Sequence, residues 1–168
     1  MINGIHKISS VVSKIFSSNS THNHVKNYYR RKILDKYNTG FFYIDFKNKL
    51  LKSNEIQTKT DIKLIDNKKL SNISIHDIVK KYGISNYNVT CKNLLDIQVL
   101  YYRHKISYYR TKLEFHFFRN QLFFYSYTFS YLNLNDKKEI IQTLKEKYID
   151  KNLKYNSNTY FVDDNQNI

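Results

Sequence analysis

The sequence contains no proline, no tryptophan and no alanine, and it has only one cysteine and three glycines. The single thiol, Cys91, excludes a disulfide within the chain and a zinc site built from several cysteines. The glycines are isolated from one another, so the chain lacks the glycine-rich loop that cradles nucleotide phosphates. No apolar run approaches the ~20 residues that a membrane-spanning helix needs. We therefore predict a protein without a membrane span and without a cofactor.

Acidic residues are also scarce, with 14 Asp and Glu against 28 Lys and Arg, which gives a formal net charge of +14. The first 34 residues hold six Lys or Arg and no acid, whereas residues 136–168 hold six charges of each sign. Such an excess favours an acidic macromolecule as the partner. Nucleic acid or a ribonucleoprotein is the first expectation and an acidic protein the second, with contacts in the first two-thirds of the chain.

The N-terminal stretch carries a weak targeting signal. It is acid-free, Ser-rich and amphipathic, as organelle transit peptides are, but its only arginines, Arg30 and Arg31, come late. It lacks the continuous apolar core of a secretory signal. We expect a cytoplasmic protein, with organelle targeting through this stretch as the alternative.

A hydrophobic fraction of 41% and an aromatic fraction of 16% provide for a real core. The most informative stretch, 113–132, reads LEFHFF, then Arg119-Asn120, then QLFFYSYTFSYL, which predicts a β-hairpin with the Arg-Asn pair at its tip. A two-residue turn predicts an apolar face that pairs Phe117 with Leu122, Phe115 with Phe124 and Leu113 with Ser126. The opposite face would pair His116 with Phe123, Glu114 with Tyr125, Lys112 with Tyr127 and Arg110 with Phe129.

Periodicity and capping signals predict the other elements. The clearest is a helix over 75–82, with Ser74 and Asp77 as a capping box and Gly83 at its end. Asn135 is expected to cap the last helix, whose residues Ile140, Ile141, Leu144 and Tyr148 would face inward. Further helices are predicted over 4–16, 25–37 and 136–149, and strands over 41–46, 50–52, 62–64, 94–106, 108–118 and 121–132.

These elements predict an α+β fold. An antiparallel sheet of four to five strands is packed by two helices and preceded by an N-terminal helical arm. We assign residues 1–37 to the basic arm, 38–150 to the α+β domain and 151–168 to a polar C-terminal tail.

Three groups of residues suggest catalysis. Asp96 with Glu114 and His116 has the layout of a metal-dependent nuclease, in which one strand supplies an Asp and the next an acidic and a basic residue two apart. Cys91 with His104 or His116 is the one thiol–imidazole pairing available, and no GxSxG elbow supports a serine nucleophile. His22 and His24 have a metal-ligand spacing in a Ser/Asn linker. In each case an ordinary structural role is the favoured interpretation, so we predict a binding module in preference to an enzyme.

The stronger candidate is a surface on which cations alternate with aromatic rings. Rings can stack on bases while Lys and Arg meet phosphates, which is typical of single-stranded nucleic acid on a sheet. The alternative is that a helix covers the rings. The basic helices before residue 38 could likewise lie on an anionic membrane or simply on their own sheet. The predicted partner-binding residues are Arg30, Arg31, Lys32, Arg103, Lys105, Arg110, Lys112 and Tyr127.

Overall fold

The computed structural model describes residues 27–92, 96–149 and 159–164. The predicted helix over 4–16 and the pair His22 and His24 lie outside these residues. Within them the predicted α+β class is confirmed. The helices are α1 (27–37), α2 (Phe41–Leu51), α3 (Ile75–Tyr82) and α4 (Leu134–Tyr148), with a short 3₁₀ turn at Leu70–Asn72. The strands are β1 (Asn54–Gln57), β2 (Tyr87–Cys91), β3 (Ile97–Ile106), β4 (Tyr109–Phe118), β5 (Gln121–Phe129) and β6 (Thr159–Val162).

Four strands form the central sheet. They are antiparallel in the order β2-β3-β4-β5, and β1 pairs separately with β6 in parallel. Because consecutive strand residues point to opposite faces, the sheet separates two cores, and β3 contributes side chains to both. One core lies beneath α3 and comprises Leu64, Ile73, Ile78, Leu100, Tyr102, Leu113, Phe115, Phe117 and Leu122. The other lies beneath α1 and α2 and comprises Ile33, Tyr37, Val89, Cys91, Ile97, Val99 and Tyr101.

Helix α3 has the boundaries that its sequence signals predict. The Ser74 hydroxyl accepts from the backbone N–H of Asp77, and the Asp77 carboxylate accepts from the backbone N–H of Ser74 at 2.9 Å. Gly83 follows with φ 79° and ψ −163°, an extended conformation of positive φ that glycine adopts readily and other residues rarely do. Ile78 is fully buried and fixes the helix to the sheet. The capping box and the glycine therefore mark both ends in the local sequence. Distant residues add one hydrogen bond at each end, from the backbone N–H of Ile75 to Asn120 Oδ1 and from the Tyr102 hydroxyl to the Gly83 carbonyl.

The predicted hairpin is present, but its register departs from the prediction after the first pair. Arg119 and Asn120 form the turn with φ of 47° and 65°, and Phe117 pairs with Leu122 as expected. A β-bulge between His116 and Phe117 then shifts the pairing by one residue. The observed partners are Phe124 for His116, Tyr125 for Phe115, Ser126 for Glu114, Tyr127 for Leu113, Thr128 for Lys112 and Phe129 for Thr111, so the remaining predicted pairs are wrong.

The predicted strand over 41–46, the turn at 47–49 and the strand at 50–52 are also wrong, because all but the last residue of this stretch belong to helix α2. Phe42 and Phe46 are four residues apart, so a helix places both on one side, where both rings contact Phe124. Tyr43 reaches His116 from the same helix. Packing against the sheet has overridden the strand preference of these aromatic residues.

The remaining differences between the predicted and the observed elements occur where the sequence signals are weak. The predicted strand over 62–64 is irregular, although Leu64 is buried. Strands β1, β2 and β6 were not predicted, and β6 lies within the stretch assigned to a polar tail. Helix α4 is capped by Asn133, not Asn135. The predicted inward face of α4 is wrong for Ile141 and Leu144, which are each 51% exposed.

Candidate functional site

The far ends of β3 and β4 carry four cations on one face of the sheet. Arg103 lies directly opposite Lys112, and Lys105 lies opposite Arg110. All four side chains are exposed. Partners in adjacent antiparallel strands have Cα atoms about 4.5–5.5 Å apart, and alternate residues of one strand about 6.7 Å apart. We call Arg103, Lys105, Arg110 and Lys112 the basic cluster.

The basic cluster lies on the face that α1 covers, just beyond the end of that cover. Tyr101 precedes Arg103 on the same face and is buried against α1, whereas Arg103 emerges beside it. The guanidinium of Arg103 lies 4.3 Å from the ring centroid of Tyr29 in α1, and its backbone N–H donates to Asn86 Oδ1 at 2.6 Å. These contacts hold the arginine at the border between the covered and the open part of the face.

No described carboxylate forms an ion pair with the basic cluster. Glu114 is next along β4, but it is buried and already has partners: Lys36 Nζ lies 3.3 Å from its carboxylate, and the hydroxyls of Tyr37 and Ser126 donate to it. Glu139 accepts from Tyr108 and Tyr109, and Tyr109 packs on Phe129 on the other face of the sheet. The four positive charges are therefore not neutralised within the described part of the chain.

The predicted cations of α1 are exposed as well. Arg30, Arg31 and Lys32 all lie on the open side of the helix, and the Lys32 ammonium lies 4.8 Å from the ring centroid of Tyr28. The ring of Tyr28 is 54% exposed. Tyr29 contacts Arg103 and also lies beside Tyr28, whose ring contacts Lys32. The cations of α1 and the basic cluster therefore lie on either side of these two rings.

Tyr127 is not part of this surface. The bulge places it opposite Leu113, so its ring lies in the core beneath α3, on the other side of the sheet from Lys112. Its hydroxyl lies 3.3 Å from that of Tyr82. Burial raises the pKa of Tyr127 above its ordinary value, so the ring stays neutral. The predicted contact between Tyr127 and Lys112 is wrong because one extra residue reverses which side chains of β5 face which core.

The residues of the nuclease hypothesis do not converge. Glu114 and His116 do share one face, as predicted, but both are buried beneath α1 and α2. Asp96 is exposed before the start of β3, whereas Glu114 pairs with Tyr101, so they lie roughly 15 Å apart along the strand direction. Among the described residues, no three His, Cys, Asp or Glu side chains are placed to hold a metal.

His116 and Cys91 are both neutral in this environment. Burial, with a smaller contribution from the charge of Lys36, lowers the pKa of His116 to about 3. Burial raises the pKa of the Cys91 thiol. A thiolate–imidazolium pair needs the opposite shifts, and His116 Nδ1 is already hydrogen-bonded to the Tyr43 hydroxyl at 2.7 Å. His104 lies on the other face, against Tyr82. The thiol–imidazole hypothesis therefore has no geometric support.

Two residues of the site were not singled out from the sequence. Tyr29 supports Arg103, and Lys36 balances Glu114. Tyr29 belongs to the apolar stripe that predicts α1, but the position of that helix on the sheet depends on contacts between residues more than 70 positions apart. A contact of this kind cannot be predicted from the local sequence pattern.

The fold and the basic cluster define an α+β protein with a cationic sheet face. Comparison with known protein families, with characterised proteins and with solved structures finds no match to this chain. No helix in the described ranges is both long and apolar enough to cross a bilayer.

Proposed function

We propose that the basic cluster binds an acidic macromolecule, and nucleic acid before any other. The observation that carries this proposal is the arrangement of four exposed cations as two directly opposed pairs on adjacent strands. Like charges opposite each other destabilise a sheet. A bound polyanion removes that repulsion, and two arginines in the set stay charged at any physiological pH.

The rings beside the cluster favour nucleic acid over an acidic protein. Tyr28 is 54% exposed and lies beside Tyr29, whose ring contacts Arg103. Exposed rings can stack on unpaired bases while neighbouring cations meet phosphates, and such stacking tolerates any base. The proposal is therefore single-stranded nucleic acid bound without sequence preference by a non-enzymatic module.

The test is the salt dependence of binding to a labelled single-stranded oligonucleotide, measured by fluorescence anisotropy. Four phosphate contacts predict a slope of log K against log salt of about −3. The double variant Lys105→Gln/Lys112→Gln should bring the slope to roughly half of this value. The matched control is Lys137→Gln/Lys138→Gln on α4, which removes the same net charge from exposed positions elsewhere.

Two results would overturn the proposal. If both double variants weaken oligonucleotide binding equally, the net charge of the protein causes the binding and no defined site is involved. Binding to an acidic polypeptide without binding to the oligonucleotide would replace nucleic acid by a protein partner. The compartment remains a prediction: cytoplasmic first, with organelle targeting through the acid-free N-terminus as the alternative.

A further inference from the structure

Helix α2 carries large apolar side chains on two sides. Its inner side packs Phe42, Tyr43 and Phe46 against the sheet and α1. Its outer side presents Phe41 at 73%, Ile44 at 55% and Leu51 at 73% exposure. With about 100° between consecutive residues, these last three fall within one stripe along the helix. We call Phe41, Ile44 and Leu51 the outer stripe.

Cations border the outer stripe on both sides. The helical rotation places Lys47 along one edge of the stripe and the C-cap residue Lys52 along the other, and both are exposed. The helix has one carboxylate, Asp45, which is paired with Lys49 at 2.8 Å. The surface therefore combines exposed apolar side chains with uncompensated positive charge.

The bulge residue of β5 exposes a further ring near α2. Phe123 is 47% exposed, and its ring centroid lies 5.5 Å from that of Tyr43. A second element thus adds an exposed apolar side chain beside the same helix. Large contiguous apolar patches on a protein surface mark interaction sites.

We propose that the outer stripe of α2 lies on the surface of an anionic phospholipid bilayer. A helix in the bilayer interface inserts its apolar side chains into the headgroup boundary while flanking lysines meet lipid phosphates and carboxylates. The placement of Lys47 and Lys52 at the edges of Phe41, Ile44 and Leu51 meets that requirement. A second copy of this chain would bring lysines against lysines, which charge complementarity disfavours. This proposal does not depend on the basic cluster or on nucleic-acid binding.

The absence of tryptophan allows a direct test in the full chain. The variant Phe41→Trp places the only indole on the outer stripe, and its emission should shift to the blue when vesicles of phosphatidylcholine with phosphatidylserine are added. Vesicles of phosphatidylcholine alone should give a much smaller shift. The matched control is Tyr131→Trp, because Tyr131 is 92% exposed at the other end of β5 and should not respond.

Further variants of the Phe41→Trp reporter separate the two parts of the surface. Adding Ile44→Ser and Leu51→Ser should abolish the shift, while thermal unfolding stays unchanged because both side chains are exposed. Each of Lys47→Gln and Lys52→Gln should weaken vesicle binding about fivefold. Adding Lys105→Gln and Lys112→Gln should leave it unchanged.

Four outcomes would overturn the proposal. The first is no blue shift with anionic vesicles. The second is an emission that is already blue-shifted in buffer, which would mean that protein covers the stripe. The third is a response to an acidic polypeptide but not to vesicles. The fourth is vesicle binding that is lost when the basic cluster is substituted but is retained when the outer stripe is substituted.

Discussion

Phe115 and His116 are neighbours in β4 and both are fully buried, yet their surroundings differ. Phe115 lies beneath α3 among apolar side chains and rings. His116 lies beneath α1 and α2, two residues from the buried carboxylate of Glu114. One face of the sheet thus buries apolar side chains together with neutral, hydrogen-bonded tyrosines, whereas the other also buries an imidazole and a carboxylate.

This difference determines how each face responds to conditions. The stabilisation that comes from apolar burial changes little with pH, because the buried side chains neither gain nor lose a proton. A buried imidazole or carboxylate links stability to pH through its shifted pKa. The face that carries the basic cluster at its open end is therefore also the face that buries an imidazole with a strongly lowered pKa.

The largest expected effect is on the α3 face. Phe115→Ala removes a fully buried ring, and because the surrounding core relaxes only in part, unfolding should become easier by about 3–5 kcal/mol at any pH. Chemical denaturation monitored by circular dichroism measures the loss. The control is Phe41→Ala, a change at a side chain that is 73% exposed and that should alter stability by less than about 0.5 kcal/mol. Similar losses in both variants would contradict the assigned core.

The second prediction concerns the other face and pH. Burial lowers the pKa of His116 to about 3, while the unfolded chain binds the proton near pH 6.5. The unfolded state therefore holds more protons between these values, so stability is complete above pH 6.5 and falls as the pH decreases. Between pH 6.5 and 5.0 the loss due to His116 should reach about 1.5 kcal/mol.

Denaturation midpoints across this pH range test the effect, with His116→Phe as the variant that removes the titrating group. Between pH 6.5 and 5.0, the free energy of unfolding of this variant should fall by about 1.5 kcal/mol less than that of the parent. The exposed His76 supplies the control, His76→Gln, which should keep the parent's slope. An unchanged slope in His116→Phe would show that other groups cause the dependence.

Elements with complete local signals were predictable. Helix α3 has its own cap and its own terminal glycine, and the hairpin has a turn pair suited to positive φ. Helix α2 was not predictable because FFYIDF has the composition of a strand, and the helix is favoured by contacts with residues distant in sequence, such as Phe124 and His116. Local preference decides an element only where no distant contact opposes it.

The register of β5 could not be read from the sequence for a different reason. Its aromatic residues occupy both alternating sets, with Phe124 in one and Tyr125 and Tyr127 in the other. A one-residue shift therefore still buries rings on both faces, so the hydrophobic pattern does not select one pairing. The side of the sheet on which Tyr127 lies was undetermined for this reason. The cations of β3 and β4, in contrast, come from adjacent strands that pair without a bulge.

The smallest expected effect tests the open end of the charged face, where function and stability should oppose each other. Lys112→Glu replaces a like-charged pair with Arg103 by an opposite pair. Stability should rise by about 0.5 kcal/mol, while affinity for a single-stranded oligonucleotide falls because a cation is lost and an anion is introduced into the site. Thermal unfolding and anisotropy measure the two changes in one preparation. Lys80→Glu in α3 is the control, since it makes the same charge change at an exposed position in the last turn of a helix. An anion is disfavoured at that end of the helix dipole, so this change should not raise stability. A variant at Lys112 that gains stability but binds as the parent does would show that the opposed cations are not the binding surface.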